Sequence, residues 1–474
     1  MTSPTLTTLD GGRRTIGNGA LDSLQQQLAG HALTPGEAGY DDARTIWNAM
    51  IDRHPGLVVP CTTTADVARA LAFAAEHQLL TAIKGGGHNI AGNAVCDGGL
   101  VLDLSAMKTV MVDAEARTAR VEAGATLAAL DAATQAHGLA LPLGINSTTG
   151  IAGLTLGGGY GWLSRKYGLT IDSLVGADLV TPDGRSRRVS ATENPELFWA
   201  IRGGGGNFGV VTRFDFKLHP VGPEVLSGLV VHPFAEAGQL LRDYGKLAAA
   251  MPDDLTVWVA MRRAPPLPFL PEEWHGREVL VFAACWAGDM AEGEQALASL
   301  RALGTPIADV IAPHPYAGWQ QAFDPLLTAG ARNYWKSHNF EVIEDGLIDV
   351  LTEAVGRLPT AECEIFIAQL GGATKRTDPT TTAFAHRSAS YLMNVHTRWR
   401  DPADDTRCIA WARELFDRTA GFATGGVYVN FMPEDETGRV KNAFGASWSR
   451  LAEIKAEVDP ANLLRMNMNI RPAA

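Results

Sequence analysis

Glycine comes in clusters along the first half of this chain, and each cluster abuts a short apolar run. The clusters are KGGGHNIAG (84–92), STTGIAGLTLGGGYG (147–161) and RGGGGNFG (202–209). Glycine reaches positive φ and has no Cβ, so backbone at such places turns sharply or lies against something a side chain would block. Successive N–H groups in such loops also form an anion-binding concavity. Three separate clusters leave two readings open: many tight turns, or backbone crowding one extended ligand. His88 adds something that a loop built only for phosphate does not need, a nucleophile or acid–base group near neutral pH.

The stretch GGGNFG (204–209) satisfies G-x-G-x-x-G and, with Val211, the kinase form. A dinucleotide fingerprint follows a strand and opens a helix. Here the order is reversed: NPELFWAIR (194–202) reads as a helix before the glycines, and VVTRFDFKL (210–218) alternates like a strand after them. No H-R-D or D-F-G follows, which removes the kinase reading. A tight turn feeding a strand and a backbone contact to a cofactor both remain.

The chain has 474 residues, which allows two to four units at ~100–200 residues per domain. Its 40 basic and 52 acidic residues leave a formal charge of −12, which argues against a nucleic-acid or anionic-membrane surface. No apolar run approaches the ~20 residues of a membrane span. The start, MTSPTLTTLDGGRR, lacks a signal-peptide pattern, so a cytoplasmic location is the expectation. The five cysteines are scattered with no CxxC spacing, so neither a disulfide framework nor a metal site is expected.

Between 40 and 220, periodicity predicts short elements. DDARTIWNAMID (41–52) is a helix running into a loop, LVVP (57–60) and TAIK (81–84) are strands, and TADVARALAFAAEHQ (64–78) is an amphipathic helix. GLVLDLS (99–105) and TARVEAGAT (118–126) are strands, LAALDAATQAHG (127–138) is a helix, and SLVGADLVTPDGRSRRVS (173–190) is a hairpin about a D-G turn. From about 223 to 425 glycine thins out. Longer helices alternate with strands such as 277–287, 362–372 and 390–400, as in a second α+β unit. VYVNFM (427–432) then reads as a strand and 439–458 as one long helix.

Five blocks, in order, carry a resemblance: KGGGHN (84–89), 147–169, NPELFWAIRGGGGNFGVVT (194–212), YVNF (428–431) and DPANLLRMNMNI (459–470). Together they resemble the bacterial branch of the berberine-bridge-enzyme-like flavoproteins, within the vanillyl-alcohol-oxidase superfamily, over nearly the whole chain. The resemblance implies an α+β fold: a two-part FAD-binding domain at 1–222 and 426–474, with an inserted substrate domain at 223–425 whose antiparallel sheet is covered by helices. It implies that His88 is bonded covalently to the 8α-methyl of the flavin, a neutral ring nitrogen having attacked an electron-poor carbon. Relatives with a second, cysteinyl tether carry it where this chain has Asn146, so one link is expected. Cys96 is off that position and reads as a small buried residue.

The same blocks imply further FAD contacts. Gly85, Gly86, Gly87, Asn89 and Gly92 would approach the pyrophosphate. Ser147, Thr148, Thr149, Gly150 and Gly153 would line the diphosphate and flavin edge, with Gly157, Gly158 and Tyr160 nearby. Gly206, Asn207, Gly209 and Val211 would lie along the adenosine side, and Asn467 and Asn469 would reach the flavin ring from one side of an extended segment. No metal is expected.

The implied chemistry is oxidation of a C–O or C–N bond in a small organic or secondary-metabolite substrate, with dioxygen as acceptor and hydrogen peroxide as product. A flavin-dependent oxygenase acting on a polyketide-like substrate and a non-catalytic flavin-binding protein are the alternatives. Oligomeric state stays open. Proton removal needs a base. Plant relatives often use a tyrosine where this chain has Phe431, so the base must be sought elsewhere. Tyr428 and Asn430 would share a strand face. Glu364 and Phe366 alternate with the apolar Cys363, Ile365 and Ile367, and a buried Glu364 would serve as base. Gln369 is a polar candidate from the same strand. In NYWKS (333–337), Tyr334 and Lys336 are candidates for the substrate wall. His396 reads as a hydrogen-bonded sheet histidine.

Overall fold

The computed structural model describes residues 3–474. Strands Leu57–Pro60, Leu100–Asp103 and Thr81–Lys84 form a parallel three-stranded sheet in that spatial order. Parallel neighbours need a crossover, and the helix Thr64–Glu76 lies on it. That helix starts at a capping box between Thr63 and Asp66 and buries Val67, Ala70, Leu71 and Ala74, the i, i+3, i+4, i+7 stripe that its periodicity predicts. Strand Thr81–Lys84 runs straight into the first glycine loop and so delivers residues 85–89 to the carboxyl end of the sheet.

A second, five-stranded antiparallel sheet has the order Ser186–Ser190, Leu174–Val180, Val210–Lys217, Thr118–Glu122, Val110–Asp113. The predicted D-G hairpin is present, with Gly184 at φ 75° in its turn. Helix Pro195–Ile201 precedes the third glycine cluster and strand Val210–Lys217 follows it, the reverse of a dinucleotide fingerprint. One apolar core takes in both sheets and the end of the chain: Leu57, Leu102, Val121 and Phe214 share it with Leu451, Leu463 and Ile470.

The third sheet is antiparallel and eight-stranded. Its long strands run Glu224–Pro233, Glu278–Trp286, Leu255–Arg263, Glu364–Gln369, Tyr391–Trp399, Arg332–Phe340 across the sheet, and two short strands pair with the first. Side chains alternate. Val257, Val259, Met261, Ile365, Ile367, Met393 and Val395 pack under helices Ala237–Ala248, Asp345–Val355 and Asp405–Thr419. The first of these helices buries Leu240, Leu241 and Tyr244, each contributing about 1.5–3 kcal/mol of transfer free energy. Residues of opposite parity, among them Trp258, Phe366, Asn394, His396 and Trp335, face the glycine loops.

The two halves are fastened together by buried polar groups. Arg165, 6% exposed, donates to the carbonyls of Leu255 (2.9 Å), Leu370 (2.8 Å) and Met251 (3.0 Å). Helix Leu127–Gln135 packs on Tyr316–Gln320, where Gln320 donates to the buried Asp131 carboxyl at 3.2 Å.

Two expected elements differ. VYVNFM is not a strand: Val429–Phe431 is a 3-10 turn, closed by Phe431 N–H to Tyr428 O at 3.0 Å. The segment pairs with no sheet edge and is held through side chains instead. The long helix at 439–458 breaks at Gly445, whose φ of 47° ends helix Val440–Phe444 before Trp448–Val458 begins. Among the described residues no helix is long and apolar enough to cross a membrane, and no cluster of three or more His, Cys, Asp or Glu side chains could hold a metal ion.

Candidate active site

A cavity of about 320 Å³ separates the glycine loops from the open face of the large sheet. Gly85, Gly86, Gly87, Asn89, Thr149, Gly150, Gly153, Gly206, Asn207, Gly209, Val211 and Asn467 all line it. Its backbone is closely fitted: a Cβ on Gly86 would lie 2.3 Å from the Gly150 nitrogen, so the first two glycine loops meet through bare main chain. Asn467 Nδ2 donates to Gly206 O at 3.1 Å, and Asn207 Nδ2 donates to Gly204 O (2.9 Å) and Met468 O (3.2 Å), which ties the chain end to the third loop.

His88 sits on this wall. Its Nε2 lies 2.9 Å from Thr148 Oγ1, while Nδ1 has only a 3.5 Å contact to Thr149 Oγ1. Trp47 stacks on the ring at 5.1 Å and 21°. Burial pushes the imidazole down to about 4, so the ring is neutral at physiological pH. Asn146 lines the cavity beside it and accepts from Thr148 Oγ1 at 2.7 Å. Cys96 is buried, and burial raises its thiol to about 12.

The opposite wall comes from four adjacent strands in register, which set Arg262, Glu364, His396 and Trp335 side by side. Glu364 accepts from Arg262 Nη1 at 2.7 Å and pairs with His396 Nδ1 at 2.8 Å. Burial raises the Glu364 carboxyl, but the Arg262 charge and the His396 hydrogen bond outweigh it and hold the group at about 2. Glu364 is therefore a fixed anion, not the burial-raised base expected of it. Whenever the ring carries a single proton, pairing with that anion places it on Nδ1 and leaves Nε2 as an acceptor. Nε2 is buried without a protein partner, on a residue of the cavity wall. Trp335 meets the His396 ring edge-on at 4.9 Å.

Tyr428, Asn430, Phe431 and Tyr160 close the end between the walls. Tyr428 Oη accepts from Gly159 N–H (3.2 Å) and Asn430 Nδ2 (3.0 Å), so the two candidates do meet, across a turn rather than along a strand. Burial raises the Tyr428 phenol to about 12 despite those two bonds, so it is a neutral hydroxyl at working pH.

Several expected contacts lie elsewhere. Tyr334 and Lys336 face away from the cavity, bonded to Asp435 (2.7 Å) and Glu436 (2.6 Å); Trp335 takes the inward position. Gln369 has the parity of Ile365 and Ile367, so it falls in the core, where it accepts from Val257 N–H at 2.9 Å. Ser147 is committed to Asp324, and Thr148 braces His88 rather than lining the cavity. Gly157 and Gly158 make room for Asn430 and Phe384, and Gly92 for Ile51. Asn469 is off the cavity wall, which Met466, Asn467 and Met468 form instead, because the segment bends there. Trp47, Arg262, Asn394 and His396 were not foreseen as site residues. Alternation would have placed Asn394 and His396 on one face, but only strand register brings them opposite Phe366 and Glu364.

Bare glycine main chain thus forms one wall of the cavity, and the Glu364–His396 pair stands on the other. The family described as FAD binding domain matches residues 55–190, and the family described as berberine and berberine like matches residues 427–471. The chain is 32% identical to an FAD-linked oxidoreductase of Dictyostelium discoideum over 90% of its length and 91% of that protein's. It is 29% identical to (R)-6-hydroxynicotine oxidase of Paenarthrobacter nicotinovorans over 94% of its length and 97% of that enzyme's. The crystal structure of 6-hydroxy-D-nicotine oxidase from Arthrobacter nicotinovorans superposes with a TM-score of 0.85, covering 94% of this chain and 98% of that one. The chain belongs to the berberine-bridge-enzyme-like family of FAD-linked oxidoreductases.

Proposed function

We propose that this oxidoreductase is an oxidase whose FAD is bonded covalently to His88, and that it oxidises a carbon bearing oxygen or nitrogen in a small organic substrate. Bound FAD supplies a two-electron acceptor that dioxygen regenerates, with release of hydrogen peroxide. In this reading residues 1–222 and 426–474 hold the cofactor and 223–425 present the substrate. Glycine N–H groups at 85–87 and 150 bind the diphosphate. His88 is suited to the tether because its ring is neutral and Nδ1 is only weakly engaged. Asn146 in place of a cysteine supports a single link.

One observation carries the catalytic assignment: the unpartnered His396 Nε2 in the cavity that also holds His88. Nε2 accepts the proton of the substrate O–H or N–H. Glu364 stabilises the imidazolium so formed, and Arg262 keeps Glu364 ionised when the ring is neutral. Neutral Tyr428, held by Gly159 and Asn430, donates a hydrogen bond and takes no proton. Trp258, Trp335, Phe366 and Phe431 exclude water from the chamber. The tether is tested by digesting the purified protein and sequencing the yellow fluorescent peptide. The expected peptide contains His88; flavin that leaves quantitatively in denaturant would overturn the link. Air reoxidation of the reduced protein with stoichiometric hydrogen peroxide tests the oxidase reading.

A further inference from the structure

Beside the main cavity lies a smaller one of about 80 Å³ that shares Ile145, Trp258, Leu327, Glu364 and Phe366 with it. It occupies the far half of the same sheet face. There Val231, Val281 and Ala260 stand side by side in register and lead directly to Phe366. Its outer wall is the segment PPLPFLP (265–271), from which Pro265, Leu267, Phe269 and Leu270 face inward. Four prolines in these seven residues restrict φ and stiffen that wall. The two charged side chains on its lining, Arg262 and Glu364, are bonded to each other. The indole N–H groups of Trp162 and Trp258 have no protein partner.

We infer that this annex is a subsite for an uncharged apolar extension of the substrate. The inference rests on the oxidase reading: the substrate's hydroxyl or amine lies at His396, and its alkyl or aryl body runs past Phe366 onto the Val231–Val281–Ala260 face. A sugar chain does not fit this surface, because each buried hydroxyl needs a donor or acceptor and the wall is almost wholly apolar. An acceptor oxygen is tolerated beside the two free indole N–H groups. This chain therefore selects a hydrophobic alcohol or amine over an oligosaccharide.

The test measures binding, not turnover. The yellow holoenzyme is titrated calorimetrically with α,α-dimethylbenzyl alcohol and its 4-ethyl and 4-butyl derivatives, which have no carbinol C–H to lose, and with cellobiose. Kd is expected to fall about fourfold per added methylene as each is buried, and cellobiose is expected not to bind. Ala260→Phe fills the annex and is expected to abolish the chain-length dependence. Should that variant not accumulate, Leu267→Ser tests the same space from the opposite wall and is expected to weaken the dependence. Equal Kd along the series, no binding of the butyl compound, tighter binding of cellobiose, or a full chain-length dependence in the variant would each overturn the subsite. Because the aryl carbinols have no carbinol C–H to lose and the readout is binding, such a result leaves the oxidase reading to its own tests.

Discussion

At the scale of single residues, the proposed chemistry rests on His396 and the anion behind it. His396→Ala is expected to lower kcat by about 10²–10⁴-fold with a small change in KM, since it removes proton transfer and not the apolar contacts. Glu364→Gln is expected to lower kcat in the same direction while the flavin absorbance per protein stays at the wild-type value. Steady-state kinetics with flavin-normalised enzyme checks both; an unchanged kcat in either would remove the pair from the mechanism. How far these residues were legible differs case by case. His88 stands out because an imidazole follows three glycines. Glu364 was legible from alternation alone, although its charge state was not, because Arg262 is about a hundred positions away and meets it only through strand pairing. Alternation separates Tyr334 and Lys336 from Trp335 but does not say which set faces inward. Gln369 was legible and misread: its parity with Ile365 and Ile367 already assigns it to the core.

At the scale of elements, two places expose what the loops and helices do. Gly86→Ala would set a Cβ against the Gly150 main chain, where no side chain can swing aside. It is expected to destabilise the protein by about 1–3 kcal/mol and to lower the flavin content recovered on purification, read from the ratio of visible to ultraviolet absorbance. The contact between helix Leu127–Gln135 and Tyr316–Gln320 buries Asp131, and burial raises that carboxyl to about 7 although the Gln320 bond lowers it. A folded value above the unfolded one means stability that is fully present below the unfolded value of about 3.8 and is lost as pH rises from there through about 7. Asp131→Asn keeps an acceptor for Gln320 and removes that loss. Its Tm is expected to exceed the wild-type value by a few degrees at pH 8.5 and to converge with it only below about pH 4, as measured by scanning calorimetry. Periodic helices and the D-G hairpin were readable because one local pattern sets each. The turn at 429–431 was not, because nothing local distinguishes an apolar run that pairs with a sheet edge from one pinned by the Tyr428 hydroxyl.

At the scale of the whole molecule, the glycine-loop wall and the opposite wall of the cavity belong to different sheets, and the buried Arg165 is one of several groups that tie the two halves together. Arg165→Met leaves the main-chain carbonyls of Leu255, Leu370, Met251 and Pro252 without their guanidinium donor and is expected to cost about 3 kcal/mol or more. Calorimetry of the variant should then show an unfolding transition broader than the wild type's, or divided in two; a transition as sharp as the wild type's would mean that the apolar contacts between the halves suffice. Division of labour between the sheets has a kinetic corollary. How far His396 stands from His88 is a property of the seam, written in neither wall. Changes at that seam, far from anything a substrate touches, would detune the pace of oxidation while leaving the choice of molecule intact.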